Sequence, residues 1–377
     1  MRFIINTSNL FTGGGVQVAL SFINECLKFT NHEFHVFLCD ALKKQIKKEQ
    51  FPDNFLFYDI DKKSNFLFNI LFLKNKLSSI EKRIKPDAVF SIFGPSYWTP
   101  KTPHLLGFAI PHYLYPESPF FKIISKKECV IWYLRKFFHS FFFKMNASIY
   151  HIETEDARLR FSRFLDVNVN NIYTVSNTYS SYFDEDFSKS LKILPDKLEK
   201  EVRILLLSSY YKHKNLEILN EIVPLINSRM KNEQVKFVTT LPDEVFKNIF
   251  RLNVIDNIIN IGPVESKRCP QLYNECDIVF LPTLLEVFSA NYPEAMKMGK
   301  PIITTNLPFS KSICGDAALY FEPLDAIDAV EKIVCLIYNQ SLQNQLIVNG
   351  KKQLEYFPSA ECRALMYIEI LNKIASK

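Results

Sequence analysis

Short apolar runs recur along the chain, and most are separated by polar stretches of helical length. In the first half the runs are RFIINTS, EFHVFLC, NFLFYDI, DAVFSIF, HLLGFAI, SIYHIET and NIYTVSN, each of strand length and rich in Ile, Val and Phe. Helices are expected between them near 16–30, 66–84, 120–146 and 155–165. The alternation lapses over 178–200, a polar stretch that marks a linker. It resumes with RILLLSS, VKFVTTL, IINIGPV, DIVFLPT, PIITTN and ALYFEP, and a last helical stretch covers about 360–376. Strand and helix in alternation imply an α/β chain whose parallel sheets carry helices on both faces. Two such series in 377 residues exceed one ordinary core, so two doubly wound, Rossmann-like domains are expected. Their bounds are 1–180 and 201–358, with a linker at 181–200 and a terminal helix at 359–377.

Composition narrows the class. Hydrophobic residues make up 47% and charged residues 23%, as in a globular protein. No run reaches the length of a membrane span, and MRFIINTSNLF reads as a first strand, not a signal sequence. The eight cysteines (Cys26, Cys39, Cys129, Cys269, Cys276, Cys314, Cys335 and Cys362) show no CxxC or other metal spacing. Several lie inside apolar runs and are expected to be buried and reduced, as in a cytoplasmic protein. The net charge of +6 conceals an asymmetry: residues 1–150 hold 20 Lys and Arg against 11 Asp and Glu, the rest 26 against 29. A basic first half suits an anionic membrane surface or an acidic substrate. No nucleic-acid-binding motif is present, and nucleic acid is not an expected partner.

Residues 277–306, DIVFLPTLLEVFSANYPEAMKMGKPIITTN, carry the clearest chemistry. A strand, a loop with Glu286, a helix with Glu294 and a second strand place both carboxylates near the carboxyl edge of a parallel sheet. Free amides at the helix start, about Phe288 to Asn291, favour an anion such as a diphosphate. The spacing of the two glutamates alone is common. Its flanks are not: Glu286, Phe288, Pro293, Glu294, Ala295, Met296, Gly299 and Pro301 together resemble the Glu-x7-Glu signature of retaining glycosyltransferase family 4, which has the GT-B fold. Ser289 stands where that family usually has Gly.

The resemblance implies two Rossmann-like domains facing a central cleft, with the C-terminal helix crossing back to the first. It implies a nucleotide-sugar donor, of UDP or GDP type, in the second domain and the acceptor in the first. Glu286 would hold sugar hydroxyls and Glu294 the ribose, with Thr283, Val287, Phe288 and Ser289 lining the donor. In SSYYKHKNLEIL, Lys212, His213 and Lys214 follow the first strand of the second domain, where cations pair with phosphate, and Asn215 is placed to cap a helix. Lys214 aligns with the family's diphosphate-gripping Lys; Ser209 falls where its Arg is usual, and Lys212 is the candidate replacement. Gly262, Tyr273 and Asp277 fit a further family stretch: Gly262 would let the backbone approach the base, Tyr273 is expected to pack, and Asp277 to cap or orient.

In the first domain Gly13, Gly14 and Gly15 form a loop before the first helix, either a plain flexible turn or a close approach to ligand. The family carries a glycine loop there, near donor phosphate. His112 follows the run HLLGFAI, and in the family a His after the equivalent strand lies beside the donor sugar. Trp98, Tyr113 and Tyr115, with Glu117, are expected on the acceptor side, because aromatic rings pack on sugar faces. Asn177 sits where many relatives read PNGV, with Ser176 in place of Pro. Residues 118–148 interleave aromatics with Lys122, Lys126, Lys127, Arg135, Lys136 and Lys144. Such a helix lies on an anionic membrane or packs on the sheet, and the two are compatible.

The expected activity is transfer of a sugar from a nucleotide diphosphate to a glycan or lipid-linked acceptor, with retention, in bacterial surface polysaccharide assembly (O-antigen, capsule or lipopolysaccharide). Glu286, His112 and Lys214 are the expected catalytic residues. No DxD motif or carboxylate cluster for a metal stands near these sites, so metal-independent catalysis by a cytoplasmic protein, peripheral on the inner membrane, is expected. Two alternatives remain: a GT-B sugar-nucleotide epimerase or phosphorylase, and a non-catalytic membrane-associated binding protein.

Overall fold

The structure is a computed structural model that describes residues 1–11, 13–60, 66–187 and 191–376. Thr12 of the glycine loop, residues 188–190 of the linker and Lys377 of the last helical stretch lie outside the described residues. The chain divides into two compact units. One comprises Met1–Leu114, Ser125–Asn177 and Pro358–Lys377, the other Tyr115–Ile124 and Thr178–Phe357.

The first unit is built on strands β1 (Arg2–Asn6), β2 (Glu33–Leu38), β3 (Phe55–Asp59), β4 (Ala88–Ser91), β5 (His104–Gly107), β6 (Ile149–Ile152) and β7 (Ile172–Thr174). They pair in the order 3-2-1-4-5-6-7, all parallel. The second unit holds β8 (Glu201–Leu206), β9 (Gln234–Thr239), β10 (Ile258–Asn260), β11 (Ile278–Leu281), β12 (Ile302–Thr305) and β13 (Ala318–Phe321) in the order 10-9-8-11-12-13, again all parallel. These are two Rossmann-like sheets, each strand seeded by one of the apolar runs of the sequence. Strand order reverses between β1 and β4 and between β8 and β11, so the loops after those strands frame the crevices where doubly wound sheets take ligands.

The helix Ala360–Ala375 belongs to the first unit. Ala364, Tyr367, Ile368, Leu371 and Ile374 share one face and join the core of Phe3, Ile5, Phe22 and Phe90. Tyr367 meets Phe90 at 4.8 Å and Phe22 edge-on at 5.4 Å. Arg363, 2% exposed, donates to Ser21 Oγ (2.8 Å) and to Asn177 Oδ1. Asn177 is therefore a clasp for this helix.

Three local findings differ from the sequence reading. The expected helix at 120–146 is broken: a single turn, Phe120–Ile123, precedes Lys126–Asn146, because Ser125 and Glu128 form a capping box that starts a new helix. Residues 115–124 pack with the second unit, where the Ser118 hydroxyl donates to Leu284 O at 2.6 Å and Tyr115 packs edge-on against Phe309. The polar linker is tied down as well. Ile193 and Leu194 amides donate to the Glu275 carboxylate at 3.0 and 2.7 Å, Lys197 pairs with Asp277 at 2.7 Å, and Asp184 pairs with Lys297. Among the described residues, no helix is long and apolar enough to cross a membrane.

Candidate active site

In the second unit the loops after β8 and β11 are stitched together at the switch point. After β8 the chain makes a short turn, Lys212–Lys214, and passes through Asn215 in the left-handed region (φ 54°). After β11 it runs through Thr283 to Glu286 and enters the helix Asn291–Lys297. His213 O accepts from Leu284 N at 2.7 Å and from the Thr283 hydroxyl at 3.3 Å. This backbone contact brings nearby side chains of the two loops together. Lys214 Nζ donates to Glu286 Oε1 in an ion pair whose side chains are only 18% and 12% exposed. The Thr283 hydroxyl also lies 3.4 Å from the same carboxylate oxygen.

His213 supplies no charge to this turn. Its ring is stacked on Tyr211 (5.4 Å) and edge-on to Phe120; burial, then the neighbouring Lys214 charge, push its pKa down to about 3. Lys212 and Ser209 are both exposed. Asn215 makes no side-chain capping bond: it is 7% exposed, and its side-chain Nδ2 has no hydrogen-bond partner.

Glu294 lies on the helix Asn291–Lys297. That helix has seven residues, so its dipole is short and its opening amides are a weaker anion site than the sequence implied. Glu294 Oε2 accepts from the Tyr273 hydroxyl at 2.9 Å. Asn291 donates to Leu207 O at 2.7 Å and to Tyr273 Oη at 3.3 Å, fixing that hydroxyl between amide and carboxylate. Burial raises the Glu294 pKa to about 7, with the Tyr273 hydrogen bond pulling the other way. Tyr273 is buried, as its apolar context implied, yet it also orients Glu294; nothing in the sequence reveals that its hydroxyl points there.

Val287, Phe288 and Ser289 are buried beside Thr283, and the Ser289 hydroxyl donates to Asn291 Oδ1 at 3.1 Å. Ser289 is not among the residues with positive φ, so its backbone does not require the family's Gly. Gly262 does need glycine: its φ is 73°, and a Cβ there would meet open space.

In the first unit the corresponding switch point lies between β1 and β4. Asn9 Nδ2 donates to Phe93 O (2.5 Å) and Pro95 O (3.0 Å), tying the two loops together. Gly13 precedes the helix Gly14–Glu25 with φ 76°, a conformation that excludes most side chains. Gly14 faces open space and Gly15 sits in ordinary contact with Phe93, so only Gly13 is demanded by the backbone.

His112 lies in the turn Pro111–Tyr113 and is half-buried. Its ring stacks face to face on Trp132, with centroids 3.6 Å apart and planes 10° from parallel. The expected acceptor platform is not there. Trp98 is fully buried, its indole N–H donating to Ser78 Oγ at 3.1 Å, and it joins the core with Ile4, Phe37 and Leu77. Tyr113 and Tyr115 are 2% and 1% exposed, Tyr115 within the second unit, so none of the three offers a free ring face to a sugar. In a segment rich in Gly, Pro and aromatics, sequence periodicity does not distinguish an inward ring from an outward one. Trp132, half-buried on the next helix, is one of nine aromatic residues in 118–148, and nothing in the sequence sets it apart from the others.

The helix Lys126–Asn146 carries an exposed apolar stripe. Phe142 and Phe143 are buried, whereas Phe137 (77%), Tyr133 (74%), Leu134 (61%), Phe141 and Val130 face outward. Lys126, Lys127, Arg135 and Lys144 are exposed around them. Among the described residues, no group of His, Cys, Asp and Glu side chains is placed to hold a metal ion.

Comparison with known proteins bears on the class. Residues 191–353 match the model of one family, Glycosyl transferases group 1. The match covers less than half of the chain. It spans both the Lys214–Glu286 pair and Glu294. The whole chain is similar in fold to a glycosyltransferase of Rickettsia africae ESF-5 (17% identity, TM-score 0.71, 99% of this chain and 98% of that one). It is also similar to Anabaena HepE, solved with UDP and glucose (14%, 0.73, 99% and 100%), and to WaaG, a glycosyltransferase involved in lipopolysaccharide biosynthesis (14%, 0.68, 100% of each). At these identities the likeness is one of fold, that of the GT-B glycosyltransferases. No curated protein matches the sequence significantly. Domain match and fold neighbours together support a glycosyltransferase.

Proposed function

We propose that the chain is a family 4 retaining glycosyltransferase that moves a sugar from a UDP- or GDP-sugar to a glycan or lipid-linked acceptor, in bacterial surface polysaccharide assembly. The observation that carries this reading is the Lys214–Glu286 ion pair, at the switch point of the second sheet and inside the family match. In the donor complex Lys214 turns to the diphosphate, Glu286 accepts from sugar hydroxyls and Glu294 from the ribose. The resemblance to family 4 assigns His112 to the donor sugar. It also assigns the Gly13–Gly15 loop to the donor phosphate, where positive potential meets the developing charge. The acceptor oxygen bonds to the anomeric carbon on the face that the diphosphate leaves, and its proton passes to the leaving phosphate oxygen. No step calls for a metal. UDP is the favoured nucleotide, since HepE was solved with it.

A thermal-shift and hydrolysis screen across UDP-, GDP-, ADP- and dTDP-sugars tests the reading. A UDP- or GDP-sugar should raise Tm and release nucleotide, more so with an acceptor present. Stabilisation by none of them sinks it, and isomerised donor without transfer favours an epimerase.

We further propose that the stripe at Val130, Tyr133, Leu134, Phe137 and Phe141 docks on the cytoplasmic face of an anionic membrane. Exposed aromatics ringed by cations suit the headgroup region. The pair Tyr133→Ser and Phe137→Ser should weaken binding to phosphatidylglycerol vesicles by about tenfold or more, two buried rings being worth that much. Salt should weaken wild-type binding. Equal sedimentation of wild type and variant would count against docking.

A further inference from the structure

The helix Lys126–Asn146 has a second face, opposite the exposed stripe. Trp132, Lys136 and His139 follow one another at spacings of four and three, and so share that face. All three hold the turn Pro111–Tyr113. Trp132 stacks on His112 at 3.6 Å, within van der Waals contact of the imidazole plane. Lys136 Nζ donates to Tyr113 O at 3.1 Å. His139 Nδ1 lies 2.9 Å from the Tyr113 hydroxyl, and its Nε2 lies 3.1 Å from that of Tyr97. Burial, with help from Arg135, pushes the His139 pKa down to about 4, so at neutral pH the ring donates from one nitrogen and accepts at the other. The Arg135 guanidinium, 5.4 Å from the Trp132 ring, adds a cation contact to the stack.

We propose that Trp132 is a positioning residue for sugar transfer, fixing the plane of the His112 imidazole. The inference rests on the reading of His112 as the residue beside the donor sugar. Tyr113 is anchored through both its carbonyl and its hydroxyl, which settles where the backbone of the turn lies. Rotation about the His112 side-chain bonds would move its two nitrogens. A flat indole against one ring face permits only the orientations that keep the rings parallel. A site that must hold a hydrogen-bonding group to a fraction of an ångström needs such a wall.

The test uses the full chain and the donor found by the screen. Trp132→Ala should lower kcat about tenfold while donor KM stays within about twofold, because binding groups elsewhere are untouched. Trp132→Phe, whose ring still stacks, should keep at least about half of kcat. In a His112→Ala background, Trp132→Ala should cost nothing more. An unchanged kcat in Trp132→Ala overturns the proposal, as does an equal loss with and without His112. A second readout needs no activity: the indole should shift the His112 ring proton resonances upfield, and Trp132→Ala should abolish that shift. If the wild type moves no sugar from any donor, the proposed function fails; the ring shift then still shows whether Trp132 holds the imidazole, and its absence overturns the positioning claim too.

Discussion

Lys214→Met is expected to reduce sugar transfer by about 100-fold, equivalent to about 2.7 kcal/mol of lost transition-state stabilisation. The charge on a departing diphosphate must be met by fixed cations, and at this switch point Lys214 lies in a mostly dry setting where Coulombic terms are larger than in water. Ser209 cannot share the task, being an uncharged hydroxyl. Glu286→Gln should lose a similar factor, since an amide is a poorer acceptor for sugar hydroxyls than a carboxylate. Stability should separate the two roles of the pair. Each single variant leaves a partly buried charge without its partner, at a cost of about 2 kcal/mol. The double variant removes both charges and should recover most of that stability with none of the activity. Chemical denaturation and initial rates on the four proteins give the answer. Transfer within about threefold of wild type in Lys214→Met would remove Lys214 from the mechanism.

Glu294→Gln should stabilise the protein at pH 8 and weaken donor binding at the same time. The folded carboxyl keeps its proton up to about pH 7, against an ordinary value of 4.5. Between those values the folded state binds more protons than the unfolded one, so stability contributed by this group is present below pH 4.5 and is lost as pH rises through 7. The full loss is roughly 3 kcal/mol. Gln carries no such titration and still accepts the Tyr273 hydroxyl. Wild-type stability should therefore fall from pH 5 to 8 relative to the variant, whose Tm at pH 8 should be higher by a few degrees. Donor binding runs the other way: the ionised carboxylate is the better acceptor for ribose hydroxyls, so wild-type affinity should rise over the same range. In the variant it should be flat and about tenfold weaker at pH 8. Parallel pH profiles of Tm for the two proteins would refute the assignment.

Much of the scaffold was legible in the chain. The strands of both sheets coincide with apolar runs, because a strand buried on both faces needs a short stretch of consecutive apolar residues wherever it packs. The Ser125–Glu128 capping box is also present in the sequence, and it divides the helix predicted at 120–146. The aromatic assignments fared differently. The sequence context suggests Trp98, Tyr113 and Tyr115 for the acceptor side, yet all three are buried, and the ring that meets His112 is Trp132. A loop has no periodicity to say which way a ring turns; that is settled by residues such as Ser78, which bonds the Trp98 indole from a separate helix.

The sequence by itself determined the two parallel sheets, the switch-point loops and the residues on them, since each depends on contiguous patterns of apolar runs, glycines and charges. Only the tertiary structure decided that Lys214 and Glu286 pair, 72 residues apart, that Tyr273 orients Glu294, and that 115–124 packs with the second unit. Those outcomes follow from which strands become neighbours and which groups are then shut away from water. Burial that makes His213 neutral and raises the Glu294 pKa is a property of the assembled sheet and its loops, not of any local stretch of chain.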